Sequence, residues 1–233
     1  MALPKINEHP NYELTIPSTK QKIKYRPFLV KEQKVLLIAM ESQDQSQMLN
    51  AIVNTIDACV TEDIRTSALA TFDVEYIFTQ IRSKSAGESA KVAIKCAECE
   101  KDTEVSVEID NIEVDTSINK EIKLNDDFTL NMRYPKWSSM IDIDANQETL
   151  TDALYTLALC CLDTIASEEE LINFDDESEE EKNTFLENLT GNQFKLVMDF
   201  VNNLPKLTKD IEFNCGSCDH ANTVTLSGMN DFF

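Results

Sequence analysis

The sequence predicts an α+β protein made of small β hairpins, with a large helical insertion between two of them and an N-terminal strand-plus-helix region. Three observations carry this prediction. Alternating apolar residues flank two short cysteine-containing turns, one in the middle of the chain and one near its end. Apolar residues at helical spacing follow between these turns. The first part of the chain changes from a strand pattern to a helix pattern.

The N-terminal region, residues 1–88, is predicted to contain strands followed by helices. Residues 11–28 alternate apolar and polar positions around a turn at Pro17-Ser18-Thr19, and lysines alternate along the second strand. The apolar spacing becomes helical over residues 30–60. Another helix is predicted over residues 71–84, because four apolar residues lie at i, i+3, i+4 and i+7: Val74, Ile77, Phe78 and Ile81.

The rest of the chain is predicted to be a β region, residues 89–135 and 205–233, interrupted by a helical insertion, residues 136–204. Alternating apolar residues predict a hairpin in this β region, turned at Asn125-Asp126-Asp127. Nine of the fifteen residues from 167 to 181 are acidic. This composition predicts a solvated, mobile connector, with a docking segment for a basic partner as the alternative. An apolar stripe earlier in the insertion predicts a helix through Leu150, Leu154, Leu157, Cys161 and Ile165.

The charge of the chain argues against nucleic acid and anionic membranes as partners. The sequence has 42 acidic and 21 basic side chains, for a formal net charge of −21. Phosphate backbones and anionic bilayers both repel such a chain. Residues 1–36 differ from the rest, since they carry seven Lys/Arg against three Glu. We expect no membrane span, no signal peptide and an intracellular location with reduced cysteines.

The sequence contains few of the residues and spacings that the common catalytic sites require. Its four glycines do not form the GxGxxG or GxxxxGK[ST] spacing of phosphate-binding loops. Its two histidines, His9 and His220, give little support to a histidine-based triad or an HExxH metallohydrolase. We therefore predict no catalytic residues and a protein that is not an enzyme.

Four cysteines form two CxxC pairs, Cys96/Cys99 and Cys215/Cys218, and predict a metal site. In both pairs an apolar residue precedes the first cysteine by two positions, and apolar residues follow the second cysteine by six and eight. This internal repeat indicates two strand–turn–strand knuckles. Two such knuckles supply four sulfurs, each about 2.3 Å from a tetrahedral Zn²⁺. We predict one structural Zn²⁺ per chain in a split zinc ribbon, because a closed four-sulfur shell leaves no position for a reacting water.

The spacing of the two pairs leaves alternatives open. Between Cys99 and Cys215 lie 115 residues, whereas common ribbons separate their pairs by about 12–20. Two separate redox sites are one alternative, although neither pair lies at the start of a predicted helix, as the pair of a thioredoxin-like site does. Unmetallated cysteines or an iron–sulfur site are the other. His220 is interpreted as a surface residue of the second knuckle, and the other cysteines as buried small residues: Cys59, Cys160 and Cys161.

Several stretches of the sequence, spread over nearly the whole chain, occur in a characteristic order and spacing. They are residues 72–78 with 81–85, residues 122–128 with 134–135, residues 185–190 with 194 and 204–207, and residues 229–233 after the second cysteine pair. In these stretches the chain resembles the baseplate hub assembly proteins of T-even-type contractile-tailed phages (myoviruses).

The resemblance implies a non-enzymatic role in phage tail assembly. Such a protein would promote assembly of the baseplate hub by binding hub proteins, the tape-measure protein, or both. It would act in the host cytoplasm, and retention in the virion baseplate is left open. The terminal Phe232-Phe233 could anchor in a partner groove or fold back on the chain. A zinc-ribbon adaptor in transcription or nucleic-acid complexes is the alternative function.

Overall fold

The computed structural model describes residues 9–110, 112–146 and 149–228, and it confirms the predicted mixture of helices and small antiparallel sheets. The terminal Phe232-Phe233 lies outside the described residues. The strands and helices, in chain order, are β1 (Tyr12–Thr15), β2 (Lys22–Tyr25), α1 (Val30–Ser42), α2 (Gln45–Cys59), α3 (Thr71–Ala86), β3 (Ser89–Lys95), β4 (Asp102–Glu108), β5 (Glu113–Val114), β6 (Glu121–Lys123), β7 (Thr129–Met132), α4 (Trp137–Asn146), α5 (Leu150–Cys160), β8 (Leu162–Ala166), β9 (Leu171–Asn173), α6 (Glu179–Glu187), α7 (Gly191–Asn202), β10 (Leu207–Asn214) and β11 (Ala221–Ser227).

The chain forms two compact units that do not follow the order of the sequence. The first unit combines three stretches: Met1–Thr66, Phe72–Val114 and Lys206–Phe233. The second unit is formed by Ser67–Thr71 and Asp115–Pro205. Most of the second unit is therefore inserted in the sequence between two parts of the first. Among the described residues, no helix combines the length and the apolar character that crossing a bilayer requires.

Three antiparallel hairpins of the first unit, β1–β2, β3–β4 and β10–β11, share one turn geometry. In each turn the first residue donates its N–H to the carbonyl five positions later, and its own carbonyl accepts from the N–H four positions later. The first residues of these turns are Ile16, Cys96 and Cys215. The fifth residue adopts a left-handed conformation without being glycine: Lys20, Glu100 and Asp219, with φ of 58°, 56° and 59°. The turn therefore does not require cysteine, since Ile16 and Thr19 occupy the cysteine positions in the first hairpin.

The predicted turn at Pro17-Ser18-Thr19 is confirmed, and a buried carboxylate holds it. The side chain of Asp73, fully buried on α3, accepts hydrogen bonds from the Ser18 hydroxyl and from the Ser18 N–H at 2.9 Å. A buried carboxylate is tolerated only when such donors satisfy it. Asp73 therefore fixes the first hairpin to the start of α3, a role that the sequence pattern did not reveal.

The three helices of the first unit lie where the sequence predicts them. On α3 the four residues of the predicted apolar face are all buried: Val74, Ile77, Phe78 and Ile81. At the start of α1 the carboxylate of Glu32 accepts the Leu29 N–H at 2.8 Å and pairs with Arg26 at 2.9 Å. Burial alone would raise the pKa of Glu32, but these hydrogen bonds hold it below its ordinary value.

The second unit is built around a four-stranded antiparallel sheet in the order β6-β7-β8-β9. One row of apolar residues crosses the sheet in register, formed by Ile122, Leu130, Ile165 and Ile172. The predicted hairpin around Asn125 is confirmed, because the Asn125 side chain accepts the Asp127 and Phe128 N–H groups at 2.9 and 2.7 Å. The core of this unit contains buried residues from β7, α5, β8 and α7, among them Leu130, Ala158, Leu162, Val197 and Phe200.

The predicted helix along residues 150–165 begins at Leu150 as expected, but its C-terminal end is wrong. Helix α5 stops at Cys160, and Ile165 lies in strand β8, where it pairs with Leu130 and Ile172. Leu150 begins the helix but is 78% exposed, so it does not extend the apolar face. The stripe pattern failed because strand residues of β8 also fit helical spacing over so short a distance. The β-branched Thr164 and Ile165 were the available signal for a strand.

The segment predicted as a solvated, mobile connector, residues 167–181, contains strand β9, a short 3₁₀ turn and the start of α6. Ser167 and Glu170 close a turn between β8 and β9 through a 2.8 Å backbone hydrogen bond. Phe174 follows β9 and is only 4% exposed within the core of the second unit. Most acidic side chains of this segment are exposed to solvent, whereas its Phe174 side chain packs in the core.

We predict that Phe174→Ala lowers the free energy of unfolding by about 3–5 kcal/mol, since it empties a buried aromatic site. Phe128→Ala serves as the matched control. Its side chain is 42% exposed at a turn, so its change should stay below about 1 kcal/mol. Urea unfolding of both variants measures the difference. Equal effects would show that residues 167–181 do not contribute to the core.

Candidate metal centre

All four cysteines predicted as metal ligands lie together at the tips of two hairpins in the first unit. Cys96 and Cys99 occupy the β3–β4 turn, and Cys215 and Cys218 occupy the β10–β11 turn. Their four sulfur atoms lie within 4.8 Å of one another. The closest pairs join the two turns: Cys96 Sγ to Cys218 Sγ is 3.7 Å, and Cys99 Sγ to Cys215 Sγ is 3.6 Å.

These separations fit a tetrahedral metal ion. Four sulfurs at about 2.3 Å from a Zn²⁺ ion form a tetrahedron whose edges are about 3.8 Å long. A disulfide would instead need two sulfurs about 2.05 Å apart, and all four cysteines are free thiols. The four side chains could therefore hold one metal ion in a closed sulfur shell.

Backbone N–H groups of the turns favour the thiolate form at two of the four sulfurs. The Ser217 N–H and then the Cys218 N–H lower the pKa of Cys215 to about 6. The Cys99 N–H and then the Glu98 N–H act in the same way on Cys96, whose pKa is also lowered. Both effects come from the shared turn, which directs amide hydrogens at the first cysteine.

Cys218 behaves in the opposite way because other sulfurs surround it. The His220 N–H favours its thiolate, but the sulfur of Cys99, desolvation and the sulfurs of Cys215 and Cys96 outweigh this, and the pKa of Cys218 is raised to about 12. Four neighbouring thiolates repel one another unless a cation lies between them. A divalent metal ion would release the remaining protons and remove this repulsion.

Two polar residues connect the hairpins around the sulfurs, and the sequence interpretation missed both. Asn222 on β11 donates to Cys96 Sγ at 3.5 Å and accepts the Ala97 N–H at 2.9 Å. Thr103 on β4 donates to Cys215 Sγ at 3.7 Å. Each residue follows the second cysteine of its own pair by four positions, yet contacts the opposite pair. The internal repeat could have identified them, because both are polar at the same repeat position.

The side chains of the remaining candidate residues are not part of the described sulfur cluster. His220 is exposed, and its carbonyl accepts the Cys215 N–H at 2.9 Å, which agrees with a surface residue of the knuckle. Cys59 and Cys161 are buried, and burial raises the pKa of these thiols to about 11 and about 12. Cys160, also expected to be buried, is only half-buried. Within the described ranges, the four knuckle cysteines form the one cluster of metal-binding side chains close enough to share an ion.

We predict that the purified protein carries about one metal ion per chain, and that Cys96→Ser loses it and lowers the unfolding temperature. The remaining thiolates cannot complete a four-sulfur shell, so the metal contribution to folding is lost. Cys160→Ser is the control, since Cys160 lies on α5 outside the cluster. Elemental analysis and thermal unfolding with and without a chelator measure both effects. Equal metal content in the two variants would contradict the site.

We predict that Asn222→Ala keeps the metal stoichiometry but weakens metal affinity by about 10–100-fold, the usual cost of losing a residue that orients a ligand. Thr223→Ala is the matched control, because Thr223 is exposed on the same strand. Competition with a chromophoric chelator measures the affinities. If Asn222→Ala binds metal as tightly as the control, Asn222 does not position Cys96.

Comparison with known proteins identifies the family of the chain. The family model described as T4 bacteriophage base plate protein matches residues 9–233, nearly the whole sequence. No curated protein and no solved structure matches. The match covers both units and both cysteine pairs, and it agrees with the resemblance carried by the sequence stretches. The chain belongs to the T4 bacteriophage base plate protein family.

Proposed function

We propose that this baseplate-family protein is a non-enzymatic assembly protein, which promotes formation of the baseplate hub by binding hub proteins, the tape-measure protein, or both. The observation that carries the proposal is the family match over residues 9–233. Membership in that family implies other phage baseplate components as partners. It also implies action in the virion or where baseplates assemble.

The metal in the cysteine centre is proposed to be one structural Zn²⁺. Four thiolates in a tetrahedral arrangement are typical of Zn²⁺, and soft sulfur ligands select against Mg²⁺ and Ca²⁺. With Cys96, Cys99, Cys215 and Cys218 as its four ligands, the ion would have no position left for a reacting water. The role of the ion would be to hold the two hairpins together.

A binding surface for a partner is proposed at strand β9. This strand is an edge of the four-stranded sheet, and its apolar side chains are open to solvent, with Leu171 68% and Ile172 40% exposed. Three exposed carboxylates precede it, Glu168, Glu169 and Glu170. An open sheet edge can add a strand from another protein. The surrounding negative charge favours a basic extended segment of the hub or tape-measure protein.

The proposal is tested by mixing the purified protein with purified hub and tape-measure proteins of the same phage and measuring co-elution. We expect retention of at least one of them. The triple charge reversal of Glu168, Glu169 and Glu170 to Lys should weaken binding at least tenfold. Reversal of Asp126 and Asp127 is the matched control, because these carboxylates are exposed at another turn of the same unit.

Two results would contradict the assembly role. One is the absence of binding to every hub and tape-measure protein. The other is recovery of RNA polymerase from infected cells in place of tail components, which would favour the zinc-ribbon adaptor. If the triple reversal binds as tightly as the native protein, the assembly role stands and the β9 surface is excluded.

A further inference from the structure

Helix α1 carries more exposed large hydrophobic side chains than any other described element. Ten large hydrophobic side chains of the described residues are exposed, and five of them lie on this one helix. Their exposed fractions are 81% for Val30, 46% for Val35, 51% for Leu37, 54% for Ile38 and 59% for Met40. Exposed apolar side chains concentrated on one helix indicate an interaction surface.

The outward stripe of α1 has a defined order of apolar and charged residues. Val30, Lys34, Leu37, Ile38 and Glu41 follow one another at i, i+4, i+7, i+8 and i+11. At 100° per residue they lie within an arc of about 100°. The opposite side of the helix is buried in the first unit through residues such as Leu36 and Ala39. The stripe therefore faces away from the unit's own core.

The two charges of the stripe are placed symmetrically about its apolar centre. Lys34 and Glu41 each lie about 5 Å along the helix axis from the midpoint between Leu37 and Ile38. Both side chains are exposed, and neither forms an ion pair with any residue that the structure describes. A partner that covers the patch must supply an opposite charge for each of them, since an unpaired buried charge is costly.

We propose that α1 is a homodimer interface, in which the α1 helices of two copies pack antiparallel about a twofold axis near Leu37 and Ile38. Rotation about this axis places Lys34 of each copy opposite Glu41 of the other, so one arrangement satisfies all four charges. A partner helix carrying charges of one sign would pair with Lys34 or Glu41 and repel the other. Self-complementarity of this kind is the property of a twofold, isologous interface. The proposal does not rest on the proposed baseplate-assembly role.

The test measures the mass of the full chain by sedimentation as its concentration is raised. We expect reversible dimerisation, which either single reversal, Lys34→Glu or Glu41→Lys, weakens at least tenfold by placing like charges opposite each other. The double variant Lys34→Glu/Glu41→Lys should restore the dimer, because the pairs re-form with exchanged signs. Lys22→Glu, an exposed reversal on β2, is the control and should dimerise as the native chain does.

A photocrosslinking residue in place of Leu37 gives a second measurement that does not depend on charge. We expect a crosslinked product of twice the chain mass, and none when the same residue replaces the exposed Glu104 on β4. A chain that stays monomeric, single reversals without effect, or a double variant that remains dissociated would overturn the proposal. So would crosslinking in infected cells exclusively to a different protein.

Discussion

The first unit depends on bringing four sulfur atoms into a space less than 5 Å across. Two of them come from a turn at residues 96–99, and the other two arrive only after 115 further residues of chain. The His220 N–H lowers the pKa of Cys218, but the neighbouring sulfurs and desolvation outweigh it and raise this pKa to about 12. Four thiolates at this separation repel one another. A bound cation turns this repulsion into attraction. In the chain-entropy model for a crosslink, closing a loop of that length is worth about 5 kcal/mol.

The protein reaches this arrangement with a hairpin turn that it uses three times in one unit. The β1–β2 turn has the same hydrogen bonds and the same left-handed residue as the two cysteine turns, but Ile16 and Thr19 replace the cysteines. The backbone turn is thus independent of metal binding. What the cysteine hairpins add is the reciprocal contact of Thr103 and Asn222, through which each hairpin supports a sulfur of the other.

Local patterns in the sequence predicted the features that depend on near neighbours. The cysteine pairs, the apolar face of α3 and the Asn125 hairpin were all predicted, because each needs only a few adjacent residues. Features that depend on tertiary contacts were missed. Residues 162–166 became a strand because β7 and β9 pair with them, and Phe174 ordered the acidic segment by entering the core. The burial of Asp73 depends on Ser18, 55 positions away, which no local pattern could indicate.

The central claim is that one metal ion, held by four thiolates, joins two hairpins that are distant in sequence. X-ray absorption at the zinc edge of the purified protein tests it most directly, because it reports the ligand atoms and their distances from the metal. The expected result is four sulfur ligands at about 2.3 Å, with no nitrogen or oxygen ligand. A shell containing nitrogen or oxygen, or fewer than four sulfurs, would contradict the closed centre formed by Cys96, Cys99, Cys215 and Cys218.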